Sequence, residues 1–266
     1  MYPEITPLIR DTIKRRYELI PYIYSLMLAS HLRSFPAQRW IGYGYESDPE
    51  VWTAEVMSGE TQYWLGDTLL VGGVYEPGET KARLYLPKNF DTGPRESDDG
   101  YINLNEPYEY IQSGQWVDIK SEWRNSIPLL ARVGGGLIVG KNIQTRAPGD
   151  HTHPSPNVVE DDYRAIEIFP PKGESNVYMV NWFEDDGISA RPDISFFTVE
   201  YFSTSSHITV NYLREDENTY IPLWKDIDII LPFGDQRSVI CRRGQALRRS
   251  EDSRGRRVFT LPLEFE

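Results

Sequence analysis

Between residues 6 and 32 the apolar positions fall at three- and four-residue steps: Ile9, Ile13, Tyr17, Ile20, Tyr24 and Leu28. That spacing places them in one stripe on a helix of about 3.6 residues per turn. Thr6 followed by Pro7 reads as an N-cap with proline in the first turn. His31 ends the helix, where positive charge is favourable. Pro21 lies inside the stripe and is expected to kink or divide the helix, because its ring displaces a turn of hydrogen bonding. No second helical pattern of comparable length follows, so the stripe is expected to be exposed and to promote association. A chain beginning near Gly59 is expected to be the better-behaved monomer.

From residue 69 onward the period changes to two. Ala82 to Leu86, Gln115 to Ile119, Ile127 to Val133 and Val177 to Phe183 alternate as strands, as do Phe196 to Tyr201, Ile208 to Tyr212, Ile227 to Leu231 and Val258 to Leu261. Many short β-branched and aromatic strands between Gly, Pro and Asp turns predict antiparallel sandwiches. Lys88 to Pro107 reads as a long surface loop, and Lys141 to Asp161, with His151 and His153 among prolines, as the link between two sandwiches.

Composition narrows the partners. The hydrophobic share of 39% and aromatic share of 13% are too high for a disordered chain. A formal net charge of −12 argues against nucleic acid and anionic membrane surfaces. Cys241 is the only cysteine, which excludes an intrachain disulfide and leaves the compartment open. No run of 18 apolar residues is present, and Met1-Tyr-Pro-Glu lacks the basic-then-apolar start of a signal peptide. Neither the oligomeric state nor the localisation is set by these features.

Two segments carry a resemblance: Tyr17-Glu-Leu-Ile-Pro-Tyr-Ile-Tyr24 and Gln62-Tyr-Trp-Leu-Gly-Asp-Thr-Leu-Leu-Val-Gly-Gly-Val74. Together they resemble the tail of glycoside hydrolase family 31, the α-glucosidase and α-xylosidase enzymes. Phe35-Pro-Ala-Gln-Arg39 with Tyr45-Glu-Ser-Asp48-Pro49 is similar to the family's last barrel strand and its loop, with Trp40 where a proline is usual. Tyr75-Glu-Pro-Gly78, Arg83-Leu-Tyr-Leu-Pro87, Gly114-Gln-Trp-Val117, Ile127 to Gly134 and Phe183-Glu-Asp-Asp-Gly187 follow in the family's order. The resemblance implies a mainly β fold: two antiparallel β-sandwich domains preceded by the last helix and strand of a (β/α)8 barrel. Residues 1–65 are then a remnant of the catalytic barrel, 66–150 a proximal sandwich and 151–266 a distal one. It also implies an α-glycoside as the carbohydrate partner and no cofactor. Met1 falls just before a barrel helix, so the chain is expected to be the end of an enzyme without its active centre.

Retaining glycoside hydrolysis needs two carboxyl groups flanking the bond, one as nucleophile and one as acid and base. The family's nucleophile segment lies upstream of the region represented here, and no catalytic residue is expected in this chain. Trp224-Lys-Asp226 has a similar spacing but continues as an alternating strand, placing Asp226 and Asp228 on a solvent face. Glu184, Asp185 and Asp186 before Gly187 read as turn acids rather than a metal site. His151 and His153 lack companions for zinc, and His207 starts a strand. Gly134-Gly-Gly136 reads as a turn or bulge. The arginines from Arg242 to Arg257 read as solvated hairpin edges. Arg39 and Trp40 are the candidates for the substrate rim: arginine bonds sugar hydroxyls and tryptophan stacks on a pyranose face, while an ion pair beside a packed indole accounts for them equally well. A noncatalytic carbohydrate-binding or scaffold module is the competing reading, favoured if aromatics lie exposed and coplanar on a sandwich face.

Overall fold

In the computed structural model, which describes residues 3–88, 99–121, 127–141, 161–187, 189–214 and 219–263, the helical region is divided. Helix α1 (Thr6–Glu18) and helix α2 (Ile20–Arg33) separate at Leu19, with Pro21 in the first turn of α2. There a proline costs no hydrogen bond, because the first N–H groups of a helix have no intrahelical partner. The cap expected at Thr6 is corrected. A 3-10 turn (Pro3–Ile5) leads straight into α1 and Ile5 holds the cap position without a side-chain bond. Thr6 is already helical, whereas a capping side chain needs an extended backbone.

The helices have two unlike faces. Ile9, Ile13, Tyr17 and Tyr24 of the apolar stripe are exposed, while Pro21, Tyr22 and Ser25 are buried. The buried face reaches the sheets through hydrogen bonds. Tyr22 Oη donates to the Leu65 carbonyl at 2.8 Å, and Phe183 N donates to Ser25 Oγ at 2.6 Å.

Strand β1 (Gln38–Arg39) comes next, then a 3-10 turn (Pro49–Trp52) and the short helix α3 (Ala54–Met57). The following strands are β2 (Gln62–Leu65), β3 (Leu69–Gly72), β4 (Lys81–Leu86), β5 (Gly100–Asn103), β6 (Glu109–Gln112), β7 (Gln115–Lys120), β8 (Leu129–Arg132) and β9 (Gly136–Val139). After these come β10 (Arg164–Ile168), β11 (Tyr178–Glu184), β12 (Ser195–Ser203) and β13 (His207–Arg214). The last are β14 (Asp226–Ile230), β15 (Ser238–Cys241), β16 (Arg248–Glu251) and β17 (Arg257–Pro262). One sheet has the order β1-β2-β3-β8-β5-β6, and β4 pairs with β7. The other two run β16-β17-β14-β10-β9 and β11-β12-β13-β15.

The mainly β architecture with few helices and several sheets agrees with the alternating pattern. Several details differ. The stretch expected as a loop from Lys88 to Pro107 contains β5, whose Tyr101 and Ile102 are buried; residues 89–98 lie outside the described residues. Two pairings are parallel where antiparallel strands alone were expected: β10 with β14 and β13 with β15. A parallel pair needs a long crossover, and in both cases other strands intervene in the chain. The sheet boundary also shifts. The β2–β3 hairpin spans the expected division after residue 65, and β9 already belongs to the sheet of β10. The chain changes sheet at Gly134 and Gly135, ahead of the proline-rich stretch, of which residues 142–160 are outside the described residues. Gly134 has φ +84, and a Cβ there would lie 2.5 Å from the Tyr178 ring. Only glycine makes that turn under a packed ring.

Two apolar clusters hold these layers. In one, Trp64 is stacked between Tyr45 and Tyr101, with ring centroids 5.7 and 5.9 Å away, above Leu70, Leu84 and Leu130. The larger cluster is continuous from Tyr22, Leu69 and Ile102 through Ile166, Trp182 and Trp224 to Phe259. The first sheet therefore contributes to both.

Candidate substrate-rim site

The segment from Arg39 to Trp52 is a built loop. β1 fixes its start by pairing Arg39 with Trp64, and Trp64 Nε1 donates to the Ile41 carbonyl at 2.9 Å. Successive tight turns follow, with Tyr43 N bonded to Trp40 O, Tyr45 N to Gly42 O and Asp48 N to Tyr45 O. Asp48 is buried and anchors the far end. Its Oδ1 accepts from Glu50 N at 3.0 Å, capping the 3-10 turn, and its Oδ2 accepts from Tyr85 Oη at 2.7 Å and Lys88 N at 2.8 Å. Burial, together with the bond to Asp48, pushes the Tyr85 phenol above its ordinary value. Trp116 Nε1 adds a bond to Glu50 Oε1 at 2.9 Å. A carboxylate tied to two backbone amides and a phenol is a strut, not a nucleophile.

On this frame lies an aromatic group. The Trp40 indole covers Gly42 so closely that a Cβ there would sit 2.3 Å from the ring. Trp52 meets Trp40 with centroids 5.1 Å apart and planes at 56°, and its Nε1 donates to the Glu46 carbonyl at 2.9 Å. Trp52 remains 51% exposed and Tyr43 38% exposed, so ring faces are open to a ligand. Arg39 donates from Nε to the Pro36 carbonyl at 2.8 Å and lays its guanidinium 5.0 Å from the centre of the Tyr43 ring. The two residues singled out in sequence, Arg39 and Trp40, thus lie in one neighbourhood with Tyr43 and Trp52. Trp52 was missed. Its only local signal is a tryptophan in the short turn that follows Asp48-Pro49, and nothing in that turn shows which ring it meets.

The other acids have structural partners. Arg164 donates two bonds to Glu184, from Nε at 2.6 Å and Nη2 at 2.9 Å, and Trp182 Nε1 donates to the same carboxylate. Asp185 accepts from Gly187 N at 2.8 Å and from Tyr24 Oη at 2.6 Å, joining this turn to α2. Asp186 accepts from Ser189 N at 2.9 Å. On β14, Asp226 is exposed and Asp228 accepts from Thr260 Oγ1 across the sheet at 2.7 Å. Among the arginines, Arg248 and Arg249 lie on the exposed edge strand β16, whereas Arg254 pairs with Glu18 at the surface and Arg256 with the buried Glu167. His207 begins β13 beside Thr204 and Ser206; His151 and His153 are outside the described residues. A groove of about 310 Å³ near Glu106, Glu109 and Asp118 presents exposed carboxylates, of which Glu109 accepts from Asn103 at 2.7 Å.

Comparison with known proteins places this segment. Residues 34–138, which include the whole loop, match the family model described as "Glycosyl hydrolase family 31 C-terminal domain". The chain is 22% identical over 228 residues to α-glucosidase 2 of Bacillus thermoamyloliquefaciens, covering 82% of this chain and 24% of that protein. It is 25% identical over 248 residues to human neutral α-glucosidase AB, covering 88% of this chain and 22% of that protein. The chain therefore spans about a quarter of the length of these relatives. In fold it is similar to a family 31 dextranase of Flavobacterium johnsoniae solved with glucose: the TM-score is 0.72 at 17% identity, over 98% of this chain and 32% of that one.

Proposed function

We propose that the chain is the C-terminal portion of a glycoside hydrolase family 31 enzyme of α-glucosidase type, and that it serves as the rim and support of a sugar site whose carboxylates lie elsewhere. The observation that carries this is the fixed loop from Arg39 to Trp52, which holds exposed ring faces beside a guanidinium. Tryptophan and tyrosine faces stack on the apolar side of a pyranose, and the Arg39 guanidinium donates to its hydroxyls. In this reading α1 and α2 belong to a (β/α)8 barrel, whose strands present their C-terminal ends to the active site, while β1 is the edge of the first sheet as the antiparallel partner of β2. The proximal sandwich is then built from the sheets of β2 to β8, and the distal one from the sheets of β9 to β17. The exposed stripe of Ile9, Ile13 and Tyr17 supports a catalytic barrel lying against that face.

The chain by itself is expected to be inactive. Retention requires a nucleophile and a second acid about 5 to 5.5 Å apart across the bond. The acids described above act instead as caps, struts and ion-pair partners. Binding that does not favour the transition state over the ground state does not accelerate hydrolysis. The competing reading, a noncatalytic binding or scaffold module, is less well supported because the large rings of the sheets, Trp64, Trp182 and Trp224 among them, are buried.

The test assays aryl α-glucoside and α-xyloside with the chain alone and with the chain joined to a family 31 barrel. No turnover is expected from the first and turnover from the second. In the joined enzyme, Trp52→Ala is expected to raise KM up to about tenfold with little change in kcat, the signature of lost uniform binding worth roughly 0.5–1.5 kcal/mol. Turnover by the chain alone that is abolished by Asp226→Asn or Asp185→Asn would return the catalytic role to those acids.

A further inference from the structure

The sheet β11-β12-β13-β15 has an inner and an outer face, and the outer one is only partly covered. Phe197, Val199, Tyr201, Ile208 and Val210 point into the core. At one end of the outer face, Phe183 and Phe196 lie under the Arg33 guanidinium of α2, at 5.3 and 5.1 Å from the ring centres. The other end is open. There Phe202 pairs with Thr209 and Glu200 with Asn211 in register across β12 and β13, and Arg242 follows from β15, its N–H bonded to the Val210 carbonyl at 3.0 Å. These side chains and Val177 line a groove of about 180 Å³.

We propose that this groove binds a neutral oligosaccharide, and specifically one ring of an α-glucan chain, away from the rim loop. Three observations lead there. First, the groove combines an apolar floor with both kinds of hydrogen-bonding group. Phe202 and Val177 are exposed, Glu200 accepts, Arg242 donates, and Asn211 and Thr209 do both. A pyranose has that same division, with an apolar C–H face and an edge of hydroxyls that donate and accept.

Second, the polar groups make little use of one another. Asn211 Nδ2 reaches Glu200 at 3.4 Å, and Arg242 Nη1 is 3.7 Å from it with its side chain 70% exposed. These are long contacts beside the 2.6 to 2.9 Å bonds of the Arg164–Glu184 pair. Bonds at that range are weak, so the hydrogen-bonding capacity is left for a ligand.

Third, size and charge disfavour other occupants. A cavity well below the roughly 300–1,000 Å³ of drug-sized ligand sites suits a single ring. One carboxylate beside one guanidinium gives no net charge to select an ion.

The choice of an α-glucan rests on the family reading above. The test is native gel electrophoresis of the full chain through gels containing dextran, with hydroxyethyl cellulose as the β-linked control. Dextran is expected to retard the wild-type chain, and hydroxyethyl cellulose is not. Phe202→Ala and Glu200→Gln should each weaken the retardation at least fivefold, while Trp52→Ala leaves it in place. Thermal unfolding of the variants, which alter an exposed face, confirms that they remain folded. No retardation by dextran, equal retardation by both polymers, or retardation that Phe202→Ala leaves unchanged while Trp52→Ala removes it would overturn the groove. None of these results bears on hydrolysis by the joined enzyme, so the family reading is judged separately.

Discussion

Glu167 sits buried on β10 between two guanidinium groups, Arg15 at 2.7 Å and Arg256 at 2.9 Å. Burial alone would raise its carboxyl, but the charges of Arg15 and Arg256 and their hydrogen bonds hold it down at about 2. An unfolded glutamate titrates near about 4.3. The unfolded chain therefore takes up this proton first, and the stability Glu167 provides is full above that value and drains away as the pH falls toward 2. Glu167→Gln removes the buried counter-charge that Arg15 and Arg256 share and leaves them only the more exposed Glu18 and Asp252. A loss of about 3–5 kcal/mol at neutral pH is expected in urea unfolding. The gap between variant and wild type should narrow between about pH 5 and pH 2, and a gap independent of pH would refute the assignment. None of this was legible in the sequence. Arg15 lies 152 positions from Glu167, whereas helical and strand patterns report only near neighbours.

At the scale of elements, the helix pair departs from the sequence expectation in an instructive way. The stripe was correctly placed, but the opposite face has a partner. Arg15, Tyr22 and Ser25 engage Glu167, Leu65 and Phe183. A chain beginning near Gly59 would strip those groups away, so it is expected to be less stable, not better behaved. Point changes separate the two effects. Ile13 is 51% exposed, and Ile13→Lys should cost no more than about 0.5 kcal/mol. It should also reduce self-association in sedimentation velocity if the stripe drives it. Unchanged association with a preserved melting temperature would assign the contact to another face. Hydrophobic periodicity found the stripe because it reads apolar residues; the packed face combines Leu19, Tyr22, Ile23 and Leu26 with the polar Arg15 and Ser25, and spacing alone does not say which of two apolar faces finds a partner.

For the whole molecule, the large core runs without interruption from Tyr22 and Leu69 to Phe259, and the sheet of β3 and β8 faces it on one side and the Trp64 stack on the other. Layers that share a sheet in this way are expected to unfold together. Calorimetry should then show one transition, with a calorimetric enthalpy equal to the van't Hoff value. Two separable transitions would mean that the larger cluster is divided in solution. The proline-rich stretch suggested a boundary near residue 150, yet the strand order crosses sheets earlier, at Gly134. Proline marks where a chain cannot continue a ladder, and it carries no information about which sheet the flanking strands join.

The sequence by itself determined the division of the helix near Pro21, the location of most strands, the turn character of Asp185, Asp186 and Gly187, and the resemblance to glycoside hydrolase family 31. Each depends on residues a few positions apart: ring geometry at a proline, alternation along a strand, an acid beside a glycine, or a short motif. The tertiary structure alone decided the two parallel pairings, the buried strand β5, the partners of Glu167, the meeting of Trp52 with Trp40, and the groove around Phe202. These depend on side chains brought together from distant parts of the chain, and pairing specificity of that kind is settled by how all the strands pack at once. Local alternation says which face of a strand is buried; only the assembled sheets say what lies against it.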